Sequence, residues 1–256
     1  MPAAIRDAGV IRFAGDSHPP YRAVGADGKT VTGIDPDMQA ALGTILGVRT
    51  EISIVAGLSP ALSGMLSGRY EAFNGPVKDT AEREKDFDAI VWMVTRTAYL
   101  VPKDSTAGIK SSDDLCGKTV AGVAASITED QVKKLTTWCT GQGKAAVTFV
   151  GLADTNAIIL AAKSGRAQAA AMTESAAIDA ITKDKDAYTY VTQTDAQGAG
   201  VDQLAMLVPK SSGLGPVMLN AFKKLFATGE YTRIMQKYGL QNVVVKEPLY
   251  NTAASK

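Results

Sequence analysis

The chain has 256 residues, enough for one large domain or two lobes, and its 46% hydrophobic and 21% charged residues are typical of globular proteins. Its 27 basic and 26 acidic residues give a net charge of +1, so the basic excess of a nucleic-acid binder is absent. No apolar run approaches roughly 18 residues, and we therefore predict no membrane span.

The N-terminal residues lack the apolar core of a signal peptide. Met1-Pro2-Ala3 resembles an artificial start, so we expect that an export signal has been removed ahead of it.

Strand-like and helical patterns alternate along the chain. Strands are predicted at residues 10–14, 50–55, 71–73, 99–102, 118–123, 147–150, 169–172, 188–192 and 204–208. Helices are predicted at 35–47, 59–67, from 126 to about 139, and at 154–163, 174–182, 214–226 and 230–238. This alternation predicts an α/β architecture with mainly parallel sheets.

Three of the predicted helices begin with a capping signal. Asp35 is a candidate N-cap, with Pro36 at the first helical position. Ser126 and Glu129 match a capping box, and Asp154 is a third candidate N-cap. These signals predict where the chain leaves a loop and enters a helix.

Two predicted strands end in the same tripeptide, Val-Pro-Lys, at residues 101–103 and 208–210. The segment between them has the pattern of a complete α/β unit. We therefore expect lobe 1 at residues 1–100 and 206–256, and an inserted lobe 2 at 101–205. The two Val-Pro-Lys ends would then be crossing strands of a hinge beside a cleft. The alternative is chance similarity between two strand ends.

The sequence lacks the motifs of several enzyme classes. Neither G-x-G-x-x-G nor a phosphate loop is present to support nucleotide binding. One histidine and two distant cysteines are a poor set of zinc ligands. A catalytic triad would have to use His18, and no G-x-S-x-G accompanies it. We predict no catalytic residue, no metal and no cofactor.

Polar residues instead collect where predicted strands end, which is where ligands bind in open α/β sheets. Four segments have this position: residues 15–21, 74–83, 124–126 and 173–175. The candidate binding residues that they supply are Asp16, His18, Tyr21, Asn74, Gly75, Lys78, Thr80, Arg83, Ala125, Ser126 and Glu174.

Motifs at residues 16–21 (D-x-x-P-P-Y), 27–38, 67–71, 80–83 (T-x-E-R), 109–121 and 229–239 occur in a specific order. Together they resemble the extracellular solute-binding proteins for polar amino acids, over almost the whole chain. The resemblance implies the two-lobed, periplasmic-binding-protein-like (type II) fold, with a ligand cleft between the lobes and two crossing hinge strands.

The same resemblance implies a function. The chain would be the extracytoplasmic substrate-binding component of an ABC importer, a monomer that closes on an amino acid or related small polar metabolite. Its partner would be a membrane permease, and its location the periplasm or, as a lipoprotein, a Gram-positive cell surface. The second lobe resembles actinobacterial members, which implies a disulfide between Cys116 and Cys139.

Three site residues carry over from the family. Arg83 would pair with the ligand's α-carboxylate, because a guanidinium can bind a carboxylate through two hydrogen bonds. Ser126 would contact the same carboxylate at a helix N-terminus. Glu174 would receive the ligand's ammonium group. The alternatives are a solvated charge for Arg83, a plain N-cap for Ser126 and a surface glutamate for Glu174.

Other positions depart from the family pattern. Lys78 stands where Ser or Thr is usual, and could neutralise a second acidic group, point outward or pair with Glu174. His18 replaces the aromatic residue that stacks on the ligand, and Leu58 replaces a second aromatic. Gly75 and Pro76 replace a pair of small residues. The first-loop acidic residue of the family aligns with Gly15, one place before Asp16. For Tyr21 and Trp92, packing in the core is the alternative role.

Two other functions remain open at this point. A cyclohexadienyl dehydratase for prephenate or arogenate uses this fold, and Glu174 would then be its general acid. A ligand-sensing domain of a receptor is the second alternative.

Overall fold

The strands form two main sheets and one small hairpin in the computed structural model, which describes residues 1–253. The strands are β1 Val10–Gly15, β2 Ala23–Val24, β3 Val31–Thr32, β4 Arg49–Ile54, β5 Ala72–Lys78, β6 Phe87–Thr95, β7 Thr97–Pro102, β8 Thr119–Val123, β9 Thr148–Leu152, β10 Ala169–Thr173, β11 Tyr188–Thr192, β12 Asp202–Pro209 and β13 Val244–Tyr250.

The α-helices pack on these sheets. They are α1 Ala3–Ala8, α2 Ile34–Leu46, α3 Leu58–Leu66, α4 Ile127–Gly141, α5 Thr155–Lys163, α6 Glu174–Lys183, α7 Gly215–Ala227 and α8 Glu230–Lys237. Short 3₁₀ turns lie at Arg83–Lys85, Ser112–Leu115, Asp195–Gln197, Lys210–Ser212 and Gln241–Val243. In the described part of the chain, no helix is both long and apolar enough to span a membrane.

The first unit consists of Met1–Val94 and the chain from Gln203 onward. Its sheet has the order β13-β6-β12-β5-β1-β4. One face packs on α2, α7 and α8 around the fully buried Ile34, Trp92 and Phe222. The other face packs on α3 around Ala61 and Phe73. The strands are therefore covered on both faces, as their apolar sequences require.

The second unit is continuous, Thr95–Asp202. Its sheet has the order β11-β7-β10-β8-β9. α5 and α6 cover one face through Ile158 and Ala177, and α4 covers the other through Val132 and Leu135. The predicted α/β fold in two units is thus confirmed.

The sheets are mixed, so the expectation of mainly parallel strands is only partly right. β1 is parallel to β4 and β5, and β8 is parallel to β9 and β10. β7 and β11 to β13 instead form antiparallel pairs. A parallel neighbour needs a crossover, usually a helix. β5, β6 and β7 follow one another without an intervening α-helix.

The chain passes between the units at Val94–Thr95 and returns at Asp202–Gln203. The two Val-Pro-Lys tripeptides do not mark these crossings, which corrects that expectation. Val101 and Pro102 end β7 inside the second sheet, and Pro209 ends β12 inside the first. A proline at a strand end needs no special role in a hinge, because it stops a strand by lacking an N–H donor.

Three local predictions have clear outcomes. Asp154 is the N-cap of α5, and its side chain accepts from the Ala157 N–H at 2.8 Å. Asp35 is not an N-cap, because α2 begins at Ile34 after Gly33 and the Asp35 side chain is buried. Cys116 and Cys139 form the disulfide that the family resemblance implies.

Candidate functional site

Three loops of the first unit meet at one edge of its sheet. β5, β1 and β4 are parallel neighbours, so the segments after them leave on the same side. These segments, residues 16–22, 55–58 and 79–83, are called here the first edge. Val55 N–H donates to Gly15 O at 2.7 Å and ties two of them together.

Arg83 lies in the last of these loops, at the start of a 3₁₀ turn. Its Nη1 donates to Lys78 O at 2.7 Å, and its N–H donates to Thr80 Oγ1 at 3.2 Å. The side chain is therefore folded back over the end of β5 and half-buried. Thr80 acts here by holding the turn. A guanidinium has five N–H donors, and this geometry aims the group as well as anchoring it.

The segment before Lys78 is set deep in the sheet. Asn74 is fully buried, and its Nδ2 donates to Asp35 Oδ1 at 3.2 Å. Gly75 has φ 108°, and a Cβ there would lie 3.0 Å from Ala205 O, so only glycine fits. Its bond to Pro76 is cis. Lys78 is half-buried at the end of β5, opposite Leu204.

The first edge is built around Arg22, which sequence reasoning missed. Its guanidinium is fully buried and forms ion pairs with both Asp16 and Asp35. It also donates to Gly75 O and, at 2.7 Å, to Asp16 O. A Cβ on Gly15 would lie 2.4 Å from Arg22 Cδ, so the small residue leaves room for this side chain. Arg22 thus joins the loop after β1 to α2 and to β5 itself.

The two carboxylates of this cluster titrate differently. Burial opposes the ionisation of Asp16, but the charges of Arg22 and His18 and the hydrogen bonds to the carboxylate together outweigh it and hold the pKa of Asp16 below its usual value. At Asp35, the Arg22 charge offsets only part of the effect of burial. Burial therefore raises the pKa of Asp35 to about 7. Asp16, predicted to bind ligand, is therefore engaged by a protein cation and is 6% exposed.

The aromatic candidates separate into one surface residue and two core residues. Tyr21 is fully buried among core residues, which favours its alternative role in core packing. Trp92 is also fully buried, and its Nε1 donates to Asn74 O at 3.1 Å. His18 is half-buried and its ring meets Tyr21 edge-on at 5.5 Å. His18 and Arg22 exchange backbone hydrogen bonds of 2.9 and 3.0 Å, which close the loop.

Leu58 opens α3, directly after β4. It is half-buried and packs against the core cluster beneath that helix. Its position at the first edge agrees with an aliphatic wall.

The second unit has an equivalent edge, formed by the segments after its parallel strands β10, β8 and β9. Residues 124–126, 153–155 and 174 are called here the second edge. Ser126 precedes α4, but its Oγ donates to Val123 O at 2.6 Å. Among the described residues, no side chain caps the N–H groups at this helix start. Those N–H groups and the helix dipole favour an anion there.

The predicted capping box between Ser126 and Glu129 does not form. Glu129 Oε2 instead accepts from the Ala125 N–H at 2.8 Å. Ala125 has φ 57°, a left-handed conformation that turns its N–H toward Glu129. A hydrogen bond from Lys133, and then the one from the Ala125 N–H, lower the pKa of Glu129. Ala125 therefore shapes the turn into α4.

Glu174 is the first residue of α6, after the N-cap Thr173. It is half-buried, its N–H donates to Arg96 O at 3.0 Å, and its Oε1 accepts from Tyr190 Oη at 3.4 Å. Burial, and then the Glu174 charge, raise the pKa of Tyr190. The second edge thus presents the Glu174 carboxylate and the start of α4, while the first presents the half-buried guanidinium of Arg83. Within residues 1–253, no group of His, Cys, Asp and Glu side chains could hold a metal.

Comparison with known proteins identifies relatives of this chain. An arginine-binding protein, ArgT, of Corynebacterium glutamicum is 24% identical over 253 residues, covering 98% of this chain and 81% of the relative. A Streptococcus pneumoniae amino acid ABC transporter substrate-binding protein, AbpA, bound to L-arginine, has TM-score 0.78 at 24% identity, covering 92% of this chain and 96% of that one.

An ancestral amino acid-binding protein, a precursor of cyclohexadienyl dehydratase, has TM-score 0.77 at 22% identity, covering 92% of this chain and 97% of that one. These structures share the fold. The sequence profile of one family matches residues 11–241, which is most of the chain. The chain therefore belongs to the bacterial extracellular solute-binding proteins, family 3.

Proposed function

We propose that this chain captures a small molecule bearing a carboxylate and an ammonium group, as the extracytoplasmic substrate-binding component of an ABC importer. The observation that carries the proposal is Arg83 at the carboxyl edge of a parallel sheet: its half-buried guanidinium donates to Lys78 O, and its backbone N–H donates to Thr80 Oγ1. A charge-assisted, bidentate contact to a carboxylate is the chemistry that such a group performs best.

The ammonium group of the ligand is assigned to Glu174, and its carboxylate also to the start of α4 beside Ser126. The half-buried setting of Glu174 strengthens its attraction for a cation relative to a fully exposed carboxylate. Lys78, His18 and Leu58 complete the proposed site and would select the ligand's side chain.

The relatives support an amino acid as the ligand. One is named as an arginine-binding protein, and another was crystallised with L-arginine. L-arginine is accordingly the first compound to test, within a panel of the other amino acids, amines and small carboxylic acids. Micromolar binding would correspond to about −8 kcal/mol.

The test is a thermal-shift screen of this panel, followed by calorimetry on the hits. A ligand at 100 times its Kd should stabilise the protein by about 2.7 kcal/mol. Arg83→Ala and Glu174→Ala should each abolish the shift, whereas the exposed controls Arg69→Ala and Asp186→Ala should retain it. A hit that is indifferent to both substitutions would refute these site assignments.

The dehydratase alternative has a separate test. Prephenate and arogenate are incubated with the protein, and loss of the cyclohexadiene absorbance is followed. We expect no turnover, and turnover that disappears in Glu174→Gln would replace binding by catalysis as the function.

A further inference from the structure

The last described residues of the chain hold the loop that carries Arg83. Asn251, Thr252 and Ala253 follow β13 and are called here the C-terminal strap. Asn251 fixes its start, because it exchanges hydrogen bonds with the Ala89 backbone at 2.7 and 2.9 Å. Its Nδ2 also donates to Asp88 Oδ1 at 3.1 Å. The strap is thereby directed across the end of β5.

Thr252 makes the central contact. Its N–H and its hydroxyl both donate to Asp79 Oδ2, at 2.9 and 2.8 Å. The same hydroxyl lies 2.7 Å from Gln203 Oε1, and Gln203 O accepts from the Asp79 N–H at 3.0 Å. Asp79 is only 4% exposed, so this ring of contacts is shielded from water. Hydrogen bonds in such surroundings are costly to lose.

Ala253 secures the other side of the loop. Its N–H donates to Glu84 Oε1 at 2.7 Å, and Glu84 is 6% exposed. Burial, and then a hydrogen bond with Glu84, raise the pKa of Asp79.

Arg83 lies within the segment that the strap encloses. Asp79 and Glu84, the two residues fixed by Thr252 and Ala253, lie on either side of it in sequence. The bonds of Arg83 to Lys78 O and Thr80 Oγ1 depend on the course of this segment. Displacing Asp79 would therefore move both Lys78 O, which holds the guanidinium, and Thr80 Oγ1, which holds the Arg83 backbone.

We propose that the C-terminal strap, through the Thr252–Asp79 contact, is a positioning element for ligand recognition by Arg83. The inference rests on the proposed role of Arg83 in binding the ligand's carboxylate. Thr252 does not contact the ligand; it determines where the guanidinium points.

The structural part is tested without any ligand, by hydrogen exchange of the peptide covering residues 79–85. Thr252→Val is nearly isosteric but lacks the hydroxyl, whereas Thr252→Ser retains it. We expect faster exchange in Thr252→Val and in a chain ending at Tyr250, and normal exchange in Thr252→Ser. Thr44→Val, an exposed threonine of the same unit, is the control. Unchanged exchange in Thr252→Val and in the shortened chain would overturn the proposal.

The functional part uses the tightest-binding compound of the panel, starting with L-arginine. Thr252→Val should weaken binding about five- to ten-fold, the loss typical of one shielded hydrogen bond, and Thr252→Ser should restore it. In an Arg83→Lys background, the Thr252→Val effect should shrink, because residues that act through one another are not additive.

Two failures are distinguishable. If Arg83→Ala leaves binding intact, the proposed role of Arg83 fails, although the exchange result still reports on the strap. If Arg83→Ala abolishes binding while Thr252→Val changes neither exchange nor affinity, the strap proposal alone is wrong. Full additivity of Thr252→Val with Arg83→Lys would also overturn it, since the strap would then act elsewhere.

Discussion

The first and second edges present their polar groups by different means. At the first edge, buried charges hold the loop after β1, with Arg22 between Asp16 of that loop and Asp35 of α2. At the second edge, hydrogen bonds to backbone groups predominate, such as Ser126 Oγ to Val123 O and the Ala125 N–H to Glu129 Oε2. The polar core of the second unit follows the same rule, because Gln193 bonds to Gln131 O, Gln197 O and Tyr99 Oη. The first unit should therefore respond to pH and charge, and the second to shape and hydrogen bonding.

The substitution with the largest expected effect on stability is Arg22→Met. Removing one partner of a buried ion pair leaves uncompensated charge, and the cost is about 3–5 kcal/mol. Because Asp16 and Asp35 would both lose their cation, the loss should grow as pH rises. Urea unfolding, followed by hydrogen exchange for each unit, measures it. A loss confined to the second unit would contradict the comparison.

The pH dependence of the first unit is the next test. The folded pKa of Asp35 is raised to about 7, above its unfolded value. Its contribution is therefore complete below about pH 4 and is lost as pH rises toward about 7. Asp35→Asn resembles the protonated form, and should remove this part of the pH dependence. The measurement is the melting temperature of the unchanged protein and of Asp35→Asn between pH 4 and 8. Parallel curves would mean that Asp35 does not cause the pH dependence.

The second unit should instead be sensitive to reduction. The Cys116–Cys139 disulfide closes a loop with a sequence separation of 23 residues. Removing a disulfide that closes such a loop lowers the free energy of unfolding by about 3 kcal/mol. We expect Cys116→Ser with Cys139→Ser to increase hydrogen exchange in residues 95–202 and to leave the first unit unchanged. Equal effects in both units would mean that they unfold as one.

The smallest expected effect is at the start of α5. Asp154→Ala removes the cap on the Ala157 N–H and should cost about 1 kcal/mol. Asp154→Asn keeps an acceptor and should cost less. Chemical denaturation at pH 7 can compare the two variants, and equal losses would point to charge rather than capping.

Much of the fold is predictable from local patterns. α2, α3 and α5 each lie within about a residue of their predicted bounds, because the apolar spacing and the terminal glycine or capping signals agree. β6 and β13 were not predicted. The sequence of β6 is an almost continuous apolar run without alternation, which does not by itself distinguish a strand from a helix.

The candidate site was predictable in position but not in its contacts. Strand ends and the family resemblance indicated Arg83, Ser126 and Glu174. Arg22 gave no local signal, because its partners are 6, 13 and 53 positions away in sequence. The local pattern at Asp35 predicts an N-cap, because capping is a local signal, while the buried partner of Asp35 is set by the packing of distant segments.

The order of strands in the first unit has a consequence for biosynthesis. β12 lies between β5 and β6, yet it leaves the ribosome only after the whole second unit, which is continuous. Until β12 emerges, the facing sides of β5 and β6 have no neighbour, and such exposed strand edges promote aggregation. The second unit can fold while the chain is still growing, but the segment that carries Arg83 must wait for Thr252 and Ala253, which bond to Asp79 and Glu84.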